Sequence, residues 1–276
     1  MPSPLLYLVS ALAYALLAGW FWRAHWRRTQ ADAKTPPQTL FEPLYVAFPW
    51  LAHGALLYAG LFAPQGLNLG LGVTISMIAW LTVLIYTLIN WRHQLEGLQS
   101  VVLVIGAVGV LMPFVLPTSH TLVHSNFLLF KAHLLIAFLA YSLLMIAALH
   151  ALLMTVAEHG LHRHASGAPV MRTLPPLLTM ESWLFRIISA GFVLLSLTLI
   201  SGMVFSEELF AAPLTVTHKT VFAIISWLIF AALLAGRFFY GWRGRVAVRW
   251  TLAGFVALLL AYLGSRFVLE VVLGRA

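Results

Sequence analysis

The chain has 276 residues, of which 62% are hydrophobic and only 9% charged. A soluble globular domain carries roughly a quarter charged residues, so lipid is the natural solvent for most of this one. The net charge of +8 does not indicate a nucleic-acid partner, because the basic residues lie in short connections between apolar runs. The chain contains no cysteine, which excludes disulfides, thiolate-bound zinc, iron–sulfur clusters and dithiol redox chemistry.

At about 20 apolar residues per crossing, the pattern predicts an all-α polytopic transmembrane bundle of about eight spans, forming one integral-membrane domain. The predicted spans are roughly 5–22, 44–62, 71–91, 98–116, 130–156, 187–205, 220–236 and 250–269. The runs are continuous rather than alternating, so strands are not expected. The first run is followed by RAHWRR and lacks a basic residue before it, which reads as a retained helix with its N-terminus outside. Arg23, Arg27, Arg28, Arg92, Arg237, Arg243, Arg245 and Arg249 fall at one set of ends. Lys131, Lys219, Arg266 and Arg275 fall at the other. This asymmetry predicts both termini on the outer, periplasmic side of a bacterial inner membrane.

Two prolines, Pro113 and Pro117, mark the outer end of the fourth span, and Pro175 and Pro176 interrupt the inner loop before Met180–Arg186. That short stretch is expected along the membrane surface. Trp20, Trp22, Trp91, Trp183, Trp242 and Trp250 recur near span ends, as interfacial anchors do. Gly106 and Gly109 read as helix-packing positions.

Carboxylates are expected at or beyond span ends, Glu181 and Glu270 among them, which argues against a proton-coupled pump. No nucleophile–base grouping or phosphate-binding glycine loop is present, so no catalytic residue is assigned and the chain does not read as an enzyme. Histidine is the exception, with eleven residues. His25, His93, His159, His162 and His164 belong to inner connections, and His120 and His124 to an outer loop. His150 lies near an inner helix end, where a C-terminal dipole favours imidazolium.

Three histidines remain: His53 in the second span, His133 opening the fifth and His218 opening the seventh. Each is a proton carrier, a metal or haem ligand, or a neutral imidazole bonded to a carbonyl or hydroxyl. By depth, His133 and His218 can flank one flat macrocycle near the outer surface. His53 lies roughly 13 Å below its outer end at helical rise, which suits a separate site. Haem iron takes neutral imidazole as an axial ligand in a dry, apolar pocket. Lys131, Lys219 and Arg266 sit at the outer level, where haem propionates could pair with them.

These stretches resemble a known family. AHLLIAFLAYSLLMIAALHALLM from Ala132, LPPLLTMESWLFRIISAGFVLLSLTLISGMVF from Leu174, HKTVFAIISWLIFAALLAGRFFYGWRGRVAV from His218 and AGFVALLLAYLGSR from Ala253 are similar to the cytochrome c assembly membrane proteins. The likeness is to the YpjD/HemX-like branch related to CcsA, and it runs from Leu44 to Arg266. The resemblance implies haem handling in cytochrome c maturation, with other assembly components as partners. His133 matches the histidine preceding the family's S/A-Y pair, a proposed axial ligand. His53 matches the branch's transmembrane histidine. Lys219 and Trp227 match the K and W of its D-P-K-E-T-W-A-x-I-x-W run.

The sequence also departs from the family. The connections Pro117–Lys131 and Ser206–Thr217 contain no tryptophan, where haem-presenting members carry a tryptophan-rich loop. Thr217 and His218 stand where the family has D-P, so His218 is not a matched ligand, and no histidine follows it. The pattern therefore suggests an accessory haem-binding protein rather than a complete synthase. One alternative is a haem-free regulator or scaffold, for example of tetrapyrrole synthesis, touching a soluble cytoplasmic partner through Gly241–Arg245. A divalent-cation carrier is the other, disfavoured by the lack of buried carboxylates.

Overall fold

Hydrocarbon offers backbone N–H and C=O groups no partner, so each apolar run closes its hydrogen bonds within itself as a helix. In the computed structural model, residues 3–30, 42–63, 66–93, 97–117, 121–122, 128–162, 176–210 and 218–273 are described. They form eight α-helices: α1 (Pro4–Gln30), α2 (Glu42–Leu61), α3 (Leu71–His93), α4 (Gln99–Val115), α5 (Leu128–His162), α6 (Leu177–Phe210), α7 (His218–Tyr240) and α8 (Gly244–Leu259). Two π-helical stretches, Leu260–Gly264 and Phe267–Val272, prolong α8. Seven helices are long and apolar enough to cross a membrane. The eighth, α4, has 17 residues, about 25 Å at helical rise.

Successive helices alternate in direction. One set of ends carries His133 and Lys219, the other Arg237 and Arg243. The first four helices pack as one group and the last four as another, joined chiefly by α3 against α5. At this seam Ser142 Oγ lies 3.2 Å from the Ile78 carbonyl, and the Leu71 N–H donates to Glu270 Oε2 at 2.8 Å.

Small residues bring the helices close. Ala140, Ala147, Ala148 and Ala151 of α5 are buried in the core shared with α6. A Cβ added at Gly191 of α6 would lie 2.7 Å from Leu144 Cδ2. Gly106 and Gly109 pack as expected: Gly106 faces Tyr14 and Val83, and Gly109 abuts Ala79. Trp50 and Trp80 clasp α2 to α3, their rings stacked at 4.6 Å. Each indole N–H donates to the other's carbonyl, at 3.2 and 2.9 Å.

Four expectations are corrected. Residues 180–186 do not lie along the membrane surface but belong to α6. Met180, Leu184 and Ile188 repeat at helical spacing and are all buried, so packing carries the helix through. Strands do occur at the His133 end: β1 (Phe62–Ala63), β2 (Gly66–Asn68) and β3 (Thr121–Leu122) form an antiparallel sheet in the order β1-β2-β3. They lie outside the apolar runs, where connecting backbone must still find partners. His150 is not near a helix end, since α5 continues to His162. Finally, Glu181 and Glu270 are buried, at 6% and 8% exposure.

Glu181 ties the Arg243 end together. Its Oε1 lies 2.7 Å from Arg237 Nη1 and 3.8 Å from Arg243 Nε. Oε2 accepts from Gly244 N–H, at the α8 N-terminus, at 3.3 Å. The α7–α8 turn needs its glycines: Gly241 and Gly244 have φ of 65° and 53°. A side chain at Gly236 would run into Trp242. Trp242 also packs on Trp250, so this pair holds the turn in addition to any interfacial role.

Replacing Glu181 by Ala removes the charge partner of Arg237, which among the described residues keeps only the Trp242 carbonyl and the Phe185 ring, and uncaps α8. The expected loss is about 2–3 kcal/mol, below the ~3–5 kcal/mol of a fully buried pair, because Arg237 is 30% exposed. Thermal melts in detergent check this, and adding Arg237→Leu should restore part of the loss.

Candidate functional site

His133 lies in the second turn of α5 and Lys219 in the first turn of α7. Both line one cavity of about 170 Å³. Its walls come from Thr74 and Ile78 on α3, Ala137, Phe138 and Tyr141 on α5, Leu195, Thr198 and Leu199 on α6, Ala223 on α7, and Leu258, Ala261 and Tyr262 beyond. Most of this lining is apolar. Tyr141 does not extend its polar tip freely into the space, since its hydroxyl donates to the Leu258 carbonyl at 2.8 Å.

The His133 ring is held by α6. Its Nδ1 lies 2.8 Å from Ser201 Oγ. On the other wall, Lys219 Nζ lies 5.7 Å from the centre of the Tyr262 ring, and the Arg266 guanidinium lies 5.6 Å from the same ring. Arg266 Nη1 meets Glu270 Oε1 at 3.3 Å, while Glu270 Oε2 is taken by Leu71 N–H. Among the described residues, one carboxylate therefore stands against two basic side chains in this cluster. The π-helical turns that flank Arg266 widen the helix here, a distortion frequent at functional sites.

The other sequence candidates lie elsewhere. His218 is the exposed first residue of α7 and is outside the cavity lining, although its neighbour Lys219 is part of it. Depth along the helix puts His133 and His218 at one level, but rotation about the α7 axis separates them. His53 is fully buried in the first half of the chain, with Nε2 2.8 Å from Ser76 Oγ. The Tyr14 ring meets it edge-on at 5.8 Å. Neither His53 Nδ1 nor the Tyr14 hydroxyl has a hydrogen-bond partner among the described residues. Trp227 joins α7 to α6: its indole donates to Ser196 Oγ at 2.8 Å and its ring stacks on Phe192 at 5.4 Å. His150 is buried, with Nε2 donating to the Met180 carbonyl at 2.9 Å. His93 packs on Trp183, and exposed His159 is bonded to the Thr155 carbonyl. His120, His124 and His164, and the side chains of His25 and His162, lie outside the described residues, as do the side chains of the tryptophan-free connections but for Pro117 and Leu128–Lys131.

Sequence reasoning missed Ser201. Its only signal is a hydroxyl near the end of α6, at the level of His133 once the two helices are set antiparallel. The residues fit haem in kind: an imidazole, an ammonium and apolar walls. In size the cavity falls below the ~300–1,000 Å³ of pockets that enclose small molecules. A macrocycle therefore requires the helices to part, or must stand partly in lipid.

Comparison with known proteins agrees with this architecture. The inner membrane protein YpjD of Escherichia coli (strain K12) is 29% identical over 208 residues, covering 75% of this chain and 78% of that protein. An uncharacterized 28.8 kDa protein of Azospirillum brasilense is 32% identical over 142 residues, covering 51% of this chain and 52% of that one. The cytochrome c biogenesis protein CcsA of Heterosigma akashiwo is 36% identical over 91 residues, or 33% of this chain and 28% of that protein. Residues 42–273 match the Cytochrome C assembly protein family, which leaves α1 almost alone outside the match, and the chain belongs to that family.

Proposed function

We propose that this is a multi-pass inner-membrane protein that holds haem at the His133 cavity as an accessory component of cytochrome c maturation. The observation that carries the reading is one mostly apolar cavity with an imidazole on one wall and an ammonium on another. Family membership and the CcsA relative support the maturation role. The YpjD relative supports the inner membrane.

In this reading His133 would hold the haem iron, and Lys219 would receive an acid group of the ligand. In this reading the residues bind and orient the ligand and exclude water. Haem, when bound, supplies the metal centre. An ammonium at a mostly apolar wall favours a carboxylate, because a charge-assisted contact strengthens where water is excluded. In this reading the arginine-rich ends face the cytoplasm, which puts the His133 and Lys219 end of the bundle, and the cavity they line, on the outer side.

The haem-free regulator acting through Gly241–Arg245 has less support. Arg243 approaches Glu181, and Arg245 Nε is 2.8 Å from Glu158 Oε1. These arginines knit the turn to α5 and α6. A divalent-cation carrier lacks a cluster of three His, Asp or Glu among the described residues.

Protein purified in detergent from haem-replete cells should absorb in the Soret region. His133→Ala should abolish that absorbance and His150→Ala should leave it. A haem-free preparation that also refuses added haemin defeats the proposal. Lys219→Gln should weaken haemin binding about tenfold, the size of one charge-assisted contact, yet leave the affinity for haem dimethyl ester unchanged. Titrations followed by absorbance measure both.

A further inference from the structure

A neutral imidazole has one ring proton, and the nitrogen that lacks it is the one that coordinates metal. At His133 the hydrogen bonds decide which nitrogen that is. Ser201 Oγ lies 2.7 Å from the Leu197 carbonyl and 3.2 Å from the Thr198 carbonyl, as well as 2.8 Å from His133 Nδ1. Carbonyl oxygens only accept. Two oxygens 2.7 Å apart repel unless a proton lies between them, so the hydroxyl proton points at α6's own backbone. The hydroxyl has no second proton, and the contact with His133 must be made by the ring: Nδ1–H donates and Oγ accepts. Nε2 then carries the lone pair.

We propose that Ser201 is a positioning residue, which holds His133 in the Nδ1–H tautomer and makes Nε2 its coordinating nitrogen. The proposal rests on the haem reading above. Gly202 belongs to the same device: a Cβ there would lie 3.4 Å from His133 Cε1, so the ring rests against the α6 backbone. His150 supplies an internal contrast on the same helix. Its Nε2 faces the Met180 carbonyl and must carry the proton, leaving the lone pair on Nδ1. Two histidines of α5 thus carry opposite tautomers, each fixed by an oxygen of α6. An acceptor on the far ring nitrogen also raises the basicity of the coordinating one, and such partners commonly account for about 10–100-fold in metal affinity.

The test uses the full chain in nanodiscs, with ¹⁵N-labelled histidine, at a pH where imidazole is neutral. His133→Gln and His150→Gln assign the two sets of signals by subtraction. His133 should show a protonated Nδ1 and a bare Nε2, and His150 the reverse. Ser201→Ala should release the His133 tautomer, weaken haemin binding about 10–100-fold and raise the haem midpoint potential, while Ser201→Thr should restore all three. A merely structural role would move the melting temperature and none of these. A proton on His133 Nε2 in the wild-type protein overturns the proposal, whether or not Ser201→Ala folds. Equal haemin affinity in wild type and Ser201→Ala also overturns it and leaves the haem reading standing. If wild type refuses haemin while His133 shows the Nδ1–H form, the haem reading fails and Ser201's control of the tautomer holds.

Discussion

Lipid gives two apolar helices no hydrophobic reason to associate, so their contact depends on how closely their backbones can pack. The α5–α6 pair meets that condition most fully, through the α5 alanines and Gly191. Its spacing sets the reach of short side chains across the seam. At one end it lets a two-atom serine arm meet His133, and toward the other it lets a backbone carbonyl meet His150. Neither bond would survive an ångström of separation. The orientation of both imidazoles follows from the small residues between them.

The buried carboxylates obey one logic at both ends. Glu181 pairs with Arg237 and accepts from the first N–H of α8. Glu270 pairs with Arg266 and accepts from the first N–H of α3. Each acid satisfies a helix terminus that lipid could not and neutralises a cation next to it. The outcomes differ. At the Arg243 end the charges knit a tight turn. At the His133 end Glu270 meets Arg266 and the Leu71 N–H, and Lys219 and Arg266 both approach the Tyr262 ring. Among the described residues this puts two basic side chains and one carboxylate beside the cavity, a setting that suits an acid-bearing apolar ligand.

Much of the fold was legible in the sequence. Every predicted span has its helix, because backbone satisfaction in hydrocarbon forces one wherever an apolar run is long enough. His133 and Lys219 line one cavity, while His53, His218 and Trp227 lie outside its lining. Depth is readable from position along a helix; which way a side chain faces, and onto which neighbour, is not. Ser201 was hidden for a further reason. Hydroxyls in membrane helices routinely bond their own preceding turn, as Ser189, Ser196 and Thr198 do on the same helix. Nothing in the sequence separates the one that also receives an imidazole.

The sequence by itself determined the solvent, the helical class, the order of spans, the family and the pool of histidines. These follow from local composition, since the free energy of placing a segment in lipid is a sum over its own residues. Only the tertiary structure decided that His133 and Lys219 face one cavity, that His53 is sealed behind Tyr14, and that Glu181 and Glu270 lie inside rather than at the surface. Helix neighbours are chosen by shape between surfaces of nearly uniform apolarity. Hydropathy is the same on every candidate face, and the choice comes from where glycine and alanine let two backbones meet.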